Sequence, residues 1–163
     1  MEQFLTVQGE GAHTGKSAWF IRLGGCDVGC AWCDVKESWD VEVHPKVSSA
    51  ALVRQAQDSG APICVVTGGE PAMHDLGPLT KGLRDAGLKT HIETSGAHKM
   101  SGDWDWVTLS PKRFKAARED AYAQVDELKV VVVNRQDIAW GESHAEKVAE
   151  STELFFQPEW DRR

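Results

Sequence analysis

No stretch of this 163-residue chain is apolar for long enough to cross a bilayer, which takes about 20 consecutive apolar residues. Basic charge is also in deficit: 18 Lys and Arg stand against 25 Asp and Glu, for a net charge of −7. That balance argues against a broad nucleic-acid footprint, which needs a basic face. No internal repeat or low-complexity tract is visible, which removes repeat architectures. The opening M-E-Q-F-L-T lacks the basic and apolar regions of a signal peptide, so the expectation is a cytoplasmic protein. Cysteine is scarce, with four residues, and Cys64 has no companion near it. In a reducing compartment such cysteines point to metal binding or catalysis before disulfides.

What remains is concentrated. Cys26, Cys30 and Cys33 lie in G-G-C-D-V-G-C-A-W-C-D, spaced C-x3-C-x2-C. Three thiolates can hold three irons of a [4Fe–4S] cluster and leave the fourth iron open, whereas four cysteines close it. An open iron can bind a second molecule, as it binds S-adenosylmethionine in radical enzymes. The competing reading is a zinc module with His44 as fourth ligand. Structural zinc, however, prefers two separated ligand pairs. Ordinary buried thiols are the other alternative, although the glycines mark this segment as a loop. For Cys64, mid-strand in an apolar run, a buried thiol is the reading.

The length fits one domain, residues 1–163. Strands are expected over 18–23, 62–67, 88–93, 106–110, 128–133 and 154–157. Helices are expected over 48–58, 75–86 and 137–150, with a helical turn over 116–122. Ser48 or Ser49 is the N-cap of the first helix and Gly60 lies past its end. Runs such as I-C-V-V and L-K-V-V-V-V read as parallel strands covered on both faces. Alternating strands and helices imply right-handed βαβ units. The fold class is α/β: a partial, modified (β/α) barrel of about six mostly parallel strands, with a doubly wound sheet as the alternative. In both, function gathers at the C-terminal strand ends.

Polar residues sit at those ends. The second strand closes on Thr67-Gly68-Gly69-Glu70-Pro71, where Glu70 can accept from an ammonium group. Glu93 and Ser95 end the third, within reach of a ribose. Ser110, Pro111 and Lys112 end the fourth and suit a carboxylate. Gln157 closes the sixth. Arg22 lies on one face of the first strand with Ala18 and Phe20. A guanidinium there either pairs internally or grips a carboxylate in bidentate fashion. The loop Gln8-Gly9-Glu10-Gly11 precedes that strand, either presenting backbone groups to the same ligand or serving as a turn. Lys112, Arg113, Lys115 and Arg118 form a compact basic cluster, readable as a solvated helix face or a small anion site. Trp32, inside the cysteine loop, is placed to shield iron from water.

The stretches T-V-Q-G-E-G, F-I-R-L-G-G-C-D-V-G-C-A-W-C-D, T-G-G-E-P, I-E-T-S-G, L-S-P-K and F-F-Q-P together resemble the 7-carboxy-7-deazaguanine synthases. These are radical S-adenosylmethionine enzymes of queuosine and deazapurine biosynthesis. The resemblance implies a partial barrel of the radical S-adenosylmethionine type, a homodimer, and an external electron donor such as flavodoxin. It implies that Cys26, Cys30 and Cys33 ligate the [4Fe–4S] cluster. S-adenosylmethionine would be held by Trp32, Cys33, Asp34, Gly69, Glu70, Ser110, Pro111 and Lys112. The substrate, 6-carboxy-5,6,7,8-tetrahydropterin, would meet Val7, Gln8, Gly9, Arg22 and Thr67. The product would be 7-carboxy-7-deazaguanine, with ammonia lost. The rival within the superfamily is an activating enzyme that places its radical on a protein glycine; Arg22 and the Q-G-E-G loop favour a small carboxylated substrate. Two departures stand out. Where the family carries a hydroxyl that ligates Mg²⁺, this chain has Val35, which cannot ligate through its side chain. Mg²⁺ is then held otherwise or not needed. The chain also stops at Arg163, short of the family's C-terminal segment, and the expectation is a domain lacking it.

Overall fold

A computed structural model describes residues 1–159. Seven strands form one sheet in the order β1-β2-β3-β4-β5-β6-β7. They are β1 (Glu2–Val7), β2 (Ser17–Leu23), β3 (Ile63–Gly68), β4 (Lys89–Thr94), β5 (Trp106–Leu109), β6 (Glu127–Val132) and β7 (Glu153–Pro158). The helices are α1 (Ser49–Asp58), α2 (Gly77–Asp85) and α3 (Gln136–Ala145). From β2 onward all pairings are parallel; β1 runs antiparallel to β2 with Glu2 opposite Arg22 and Val7 opposite Ser17.

The strand order decides between the two architectures left open by the sequence. A doubly wound sheet needs a point where the order reverses. Here the order never reverses, and right-handed crossovers between successive neighbours put every helix on one face. The other face is free to curl into a partial barrel. On the outer face Ile21, Cys64, Val66, Ile92 and Val107 pack under Leu52, Ala56, Leu79 and Leu83 of α1 and α2. A second cluster packs Leu109, Leu128 and Val130 against Tyr122 and Trp140. The concave face carries Ala18, Phe20, Ile63 and Val65, with Phe4 against them.

The local signals behave as their chemistry dictates. Ser48 caps α1, its Oγ accepting from the Ala51 N–H at 3.3 Å. Three expectations need correction. β1 adds a seventh strand. The turn expected over 116–122 is a 3₁₀ segment at Glu119–Gln124. The last helix stops at Ala145, short of 150. Gly141, which weakens that helix intrinsically, has a packing reason: a Cβ there would overlap the Phe156 ring on β7.

Candidate active site

The C-terminal strand ends open into a cavity of about 490 Å³. Every site residue named from the sequence lines it except Pro111. Pro111 is buried beside it. The β2–α1 loop brings Cys26, Cys30 and Cys33 to the rim. A tight turn joins two of them, with the Cys33 N–H donating to the Cys30 carbonyl at 3.1 Å. Burial pushes the Cys30 thiol up to about 11, with the neighbouring Cys33 and Cys26 adding to a shift that Lys112 opposes. Burial likewise raises Cys26. Metal binding must therefore displace these protons. Among the described residues, no three His, Cys, Asp or Glu side chains converge on a point that would hold a single ion. Three thiols lining one rim offer one thiolate to each of three irons of a polynuclear cluster. His44 lies elsewhere, its Nε2 2.8 Å from the Glu37 carbonyl.

Trp32 stands edge-on to Phe114, ring centroids 6.2 Å apart, with the Lys112 ammonium 5.8 Å from its ring centre. Asp27, between the first two cysteines, is held by His98 Nε2 at 2.9 Å and Lys115 Nζ at 2.6 Å. These contacts tie the cysteine loop to the segments after β4 and β5. The basic cluster is largely spent inside the molecule. Lys115 pairs with Asp27, Arg113 with Asp137 at 2.8 Å, and Arg118 with Asp120 at 2.8 Å. It does not form an open anion site.

Glu70 is 1% exposed, and its carboxylate is occupied by the protein. It accepts from the Ala72 N–H at 3.0 Å, Thr94 Oγ1 at 2.5 Å, the Ser95 N–H at 2.8 Å and the Ser95 hydroxyl. Glu70 thus fastens the end of β4 to the loop after β3, and the Ser95 hydroxyl points at Glu70. The Lys112 Nζ donates to the Ser110 carbonyl at 2.6 Å and to the Ser110 Oγ at 2.5 Å. Burial lowers this lysine to about 8.

Arg22 has a partner on the protein and a face on the cavity. Its Nε lies 2.9 Å from Glu2 Oε1, without hydrogen-bond alignment, while the side chain also lines the cavity. Phe4 stacks on Phe20 (centroids 5.6 Å) and supports the guanidinium from below, 5.9 Å from its ring centre. At the family's Mg²⁺ position Val35 offers only its carbonyl, which already accepts from the Ser38 Oγ at 2.7 Å and the Ser38 N–H at 3.0 Å. This position does not fit a magnesium ion.

Two residues were missed from the sequence. Lys129, on the inner face of β6, donates to Glu10 Oε2 at 2.8 Å and lies 3.5 Å from Glu93 Oε2. Burial alone would lower it, but Glu93 and Glu10 outweigh burial and raise it. Glu127, two residues earlier on the same face, accepts from the Ala12 N–H at 2.9 Å, and burial raises its carboxyl. The signal was a lysine inside a strand read as apolar on both faces, and a glutamate immediately before the expected start of that strand. The Gln8 Nε2 donates to Glu93 Oε1 at 2.8 Å, so the Q-G-E-G loop reaches across the barrel.

A single-wound α/β partial barrel, with three cysteines at its C-terminal rim and a polar cavity beside them, defines a radical S-adenosylmethionine protein, and the radical SAM superfamily profile matches residues 20–126. Within that class the chain is 48% identical over 160 residues to 7-carboxy-7-deazaguanine synthase of Synechocystis sp., covering 98% of this chain and 77% of that protein. It is 49% identical over 163 residues to the enzyme of Flavobacterium psychrophilum, covering 100% and 77%. A crystal structure of QueE from Escherichia coli superimposes with a TM-score of 0.85 at 35% identity, covering 99% of this chain and 84% of that one. The chain belongs to the 7-carboxy-7-deazaguanine synthase family.

Proposed function

We propose that this chain is a radical carbon–nitrogen lyase that converts 6-carboxy-5,6,7,8-tetrahydropterin to 7-carboxy-7-deazaguanine and ammonia. One observation carries the reading: the three thiols, Arg22 and the Gln8–Glu93 pair face a single cavity. Cys26, Cys30 and Cys33 would hold the [4Fe–4S] cluster. When bound, the cluster and S-adenosylmethionine supply an electron and a 5′-deoxyadenosyl radical, the agent that takes hydrogen from the pterin. The protein supplies position and charge.

Trp32, Asp34, Gly69, Ser110, Lys112, Gln157 and the Glu70–Ser95 knot form the half of the cavity assigned to S-adenosylmethionine, with Pro111 behind it. The half assigned to the pterin consists of Val7, Gln8, Gly9, Glu10, Arg22 and Thr67. Arg22 would grip the substrate carboxylate, for which a planar guanidinium is suited. Phe4 and Phe20 exclude water beneath that grip, which strengthens it. Glu93 sits between the halves.

We further infer a cytoplasmic enzyme that works as a homodimer and takes electrons from an external donor such as flavodoxin. The exposed apolar Leu154 and Phe156 on β7 support the dimer. The partly exposed Cys26 and Cys33 support electron entry at the loop. Among the described residues no helix is long and apolar enough to cross a membrane.

The deciding experiment is anaerobic reconstitution with iron and sulfide, followed by turnover with S-adenosylmethionine, dithionite and the carboxytetrahydropterin. The expected result is 7-carboxy-7-deazaguanine by mass spectrometry. Formation of 5′-deoxyadenosine with no deazapurine would overturn the substrate assignment.

A further inference from the structure

We propose that Lys129 is a positioning residue for the substrate, holding the Glu10 and Glu93 carboxylates in place as hydrogen-bond acceptors at the cavity floor. The inference rests on the pterin reading above and extends it to a residue outside the motifs shared with the family.

Three carboxylates gather around Lys129: half-exposed Glu10 from the β1–β2 loop, partly exposed Glu93 from β4 and buried Glu127 from β6. Lys129 is the cation among them, 5% exposed, bonded to Glu10 at 2.8 Å and 3.5 Å from Glu93. Glu93 is also held by Gln8 at 2.8 Å, and the Glu10 N–H donates back to the Gln8 Oε1 at 3.2 Å. One ammonium thus joins β6, β4 and the loop that carries the proposed substrate contacts. A buried lysine costs several kcal/mol in desolvation unless it is paired. With two carboxylates in reach it is stable, and its charge offsets theirs.

An ionised carboxylate is an acceptor only; a protonated one also donates. The amino-pyrimidinone edge of a pterin presents N–H groups and needs acceptors. Without Lys129, three carboxylates would share a confined space, and mutual repulsion would drive a proton onto one of them. The floor would lose an acceptor, and Glu10 would lose its anchor to β6.

The test uses anaerobically reconstituted enzyme with S-adenosylmethionine and no reductant. The probe is 6-carboxypterin, a redox-stable form of the ring system, titrated by its own fluorescence. For Lys129→Met the Kd is expected to rise at least about tenfold, while iron content and visible absorption stay at wild-type levels. In turnover, KM should rise more than kcat falls. Glu93→Gln and the Glu93→Gln/Lys129→Met double variant complete a cycle. Because the two groups act together, the double variant should bind no more than about twofold worse than the weaker single variant.

Wild-type affinity in Lys129→Met, or strictly additive losses in the cycle, would overturn the proposal. So would loss of iron in parallel with binding, because that marks a purely structural lysine. If the wild-type enzyme itself fails to bind the pterin, the functional reading falls and this inference falls with it. Wild-type binding with an indifferent Lys129→Met removes this inference alone.

Discussion

At the scale of single residues, the chemistry follows from which groups share a boundary. Arg22 is 23% exposed and leans on Glu2, a surface partner that contributes little by itself. Its guanidinium therefore keeps capacity for a ligand. Arg22→Ala should weaken pterin binding tenfold to a hundredfold, the loss of about 1.5–3 kcal/mol usual for hydrogen bonds to charged groups. Iron content should not change, and a titration showing wild-type affinity would remove Arg22 from the site. Cys30 is buried in the rim loop. Cys30→Ala should abolish 5′-deoxyadenosine formation in the reconstituted enzyme; a variant that still forms it would contradict the ligand assignment. The cysteines and Arg22 were legible because residue type alone narrows their chemistry. Glu70 was legible only in part. Its position at a strand end could be read, but not the four protein donors that occupy it.

At the scale of elements, the β1–β2 hairpin matters most. Its loop places Gln8 on Glu93, Glu10 on Lys129 and the Ala12 N–H on Glu127. Gly11 makes this possible: its φ is +66°, and a Cβ there would overlap the Glu127 carboxylate. Gly11→Ala should cost about 1–3 kcal/mol, the range for local overpacking. Thermal unfolding should show a lower midpoint, and pterin affinity should fall with it; an unchanged midpoint would mean that the loop can shift freely. β1 itself escaped the sequence reading for a physical reason. In E-Q-F-L-T-V, apolar Leu5 stays exposed while apolar Phe4 and polar Thr6 both line the cavity, so apolar and polar residues do not alternate. The parallel strands were easier, since burial on both faces writes continuous apolar runs. α1 was read to within a residue because Ser48 and Gly60 mark its ends. α3 was overrun because no strong stop follows Ala145.

At the scale of the whole molecule, the barrel's closed end predicts a pH response. His13 inserts there against His91 and Trp106, with centroids 4.5 Å from each. Burial, reinforced by His13, lowers His91 to about 4, while Asp105 and Glu93 pull upward and Lys16 downward. The unfolded chain binds that proton near pH 6.5 and the folded chain only near pH 4. Between those values the unfolded state carries more protons, so stability falls as pH drops through the window. His91→Gln should flatten the decline of the unfolding midpoint between pH 6.5 and 4 relative to wild type. An identical slope in the variant would assign the acid sensitivity to other groups.

The chain's local order was sufficient to set the parallel strands, the cysteine loop, and which residues stand at strand ends, because periodicity and donor chemistry act over a few residues. Only the tertiary structure decided partnership. Glu10 meets Lys129 across 119 positions and Gln8 meets Glu93 across 85. No local pattern encodes such pairs; they form when an unreversed strand order curls the sheet and turns its inward side chains toward one another. The same curvature turned Lys129 from one residue in a valine run into the link between two carboxylates.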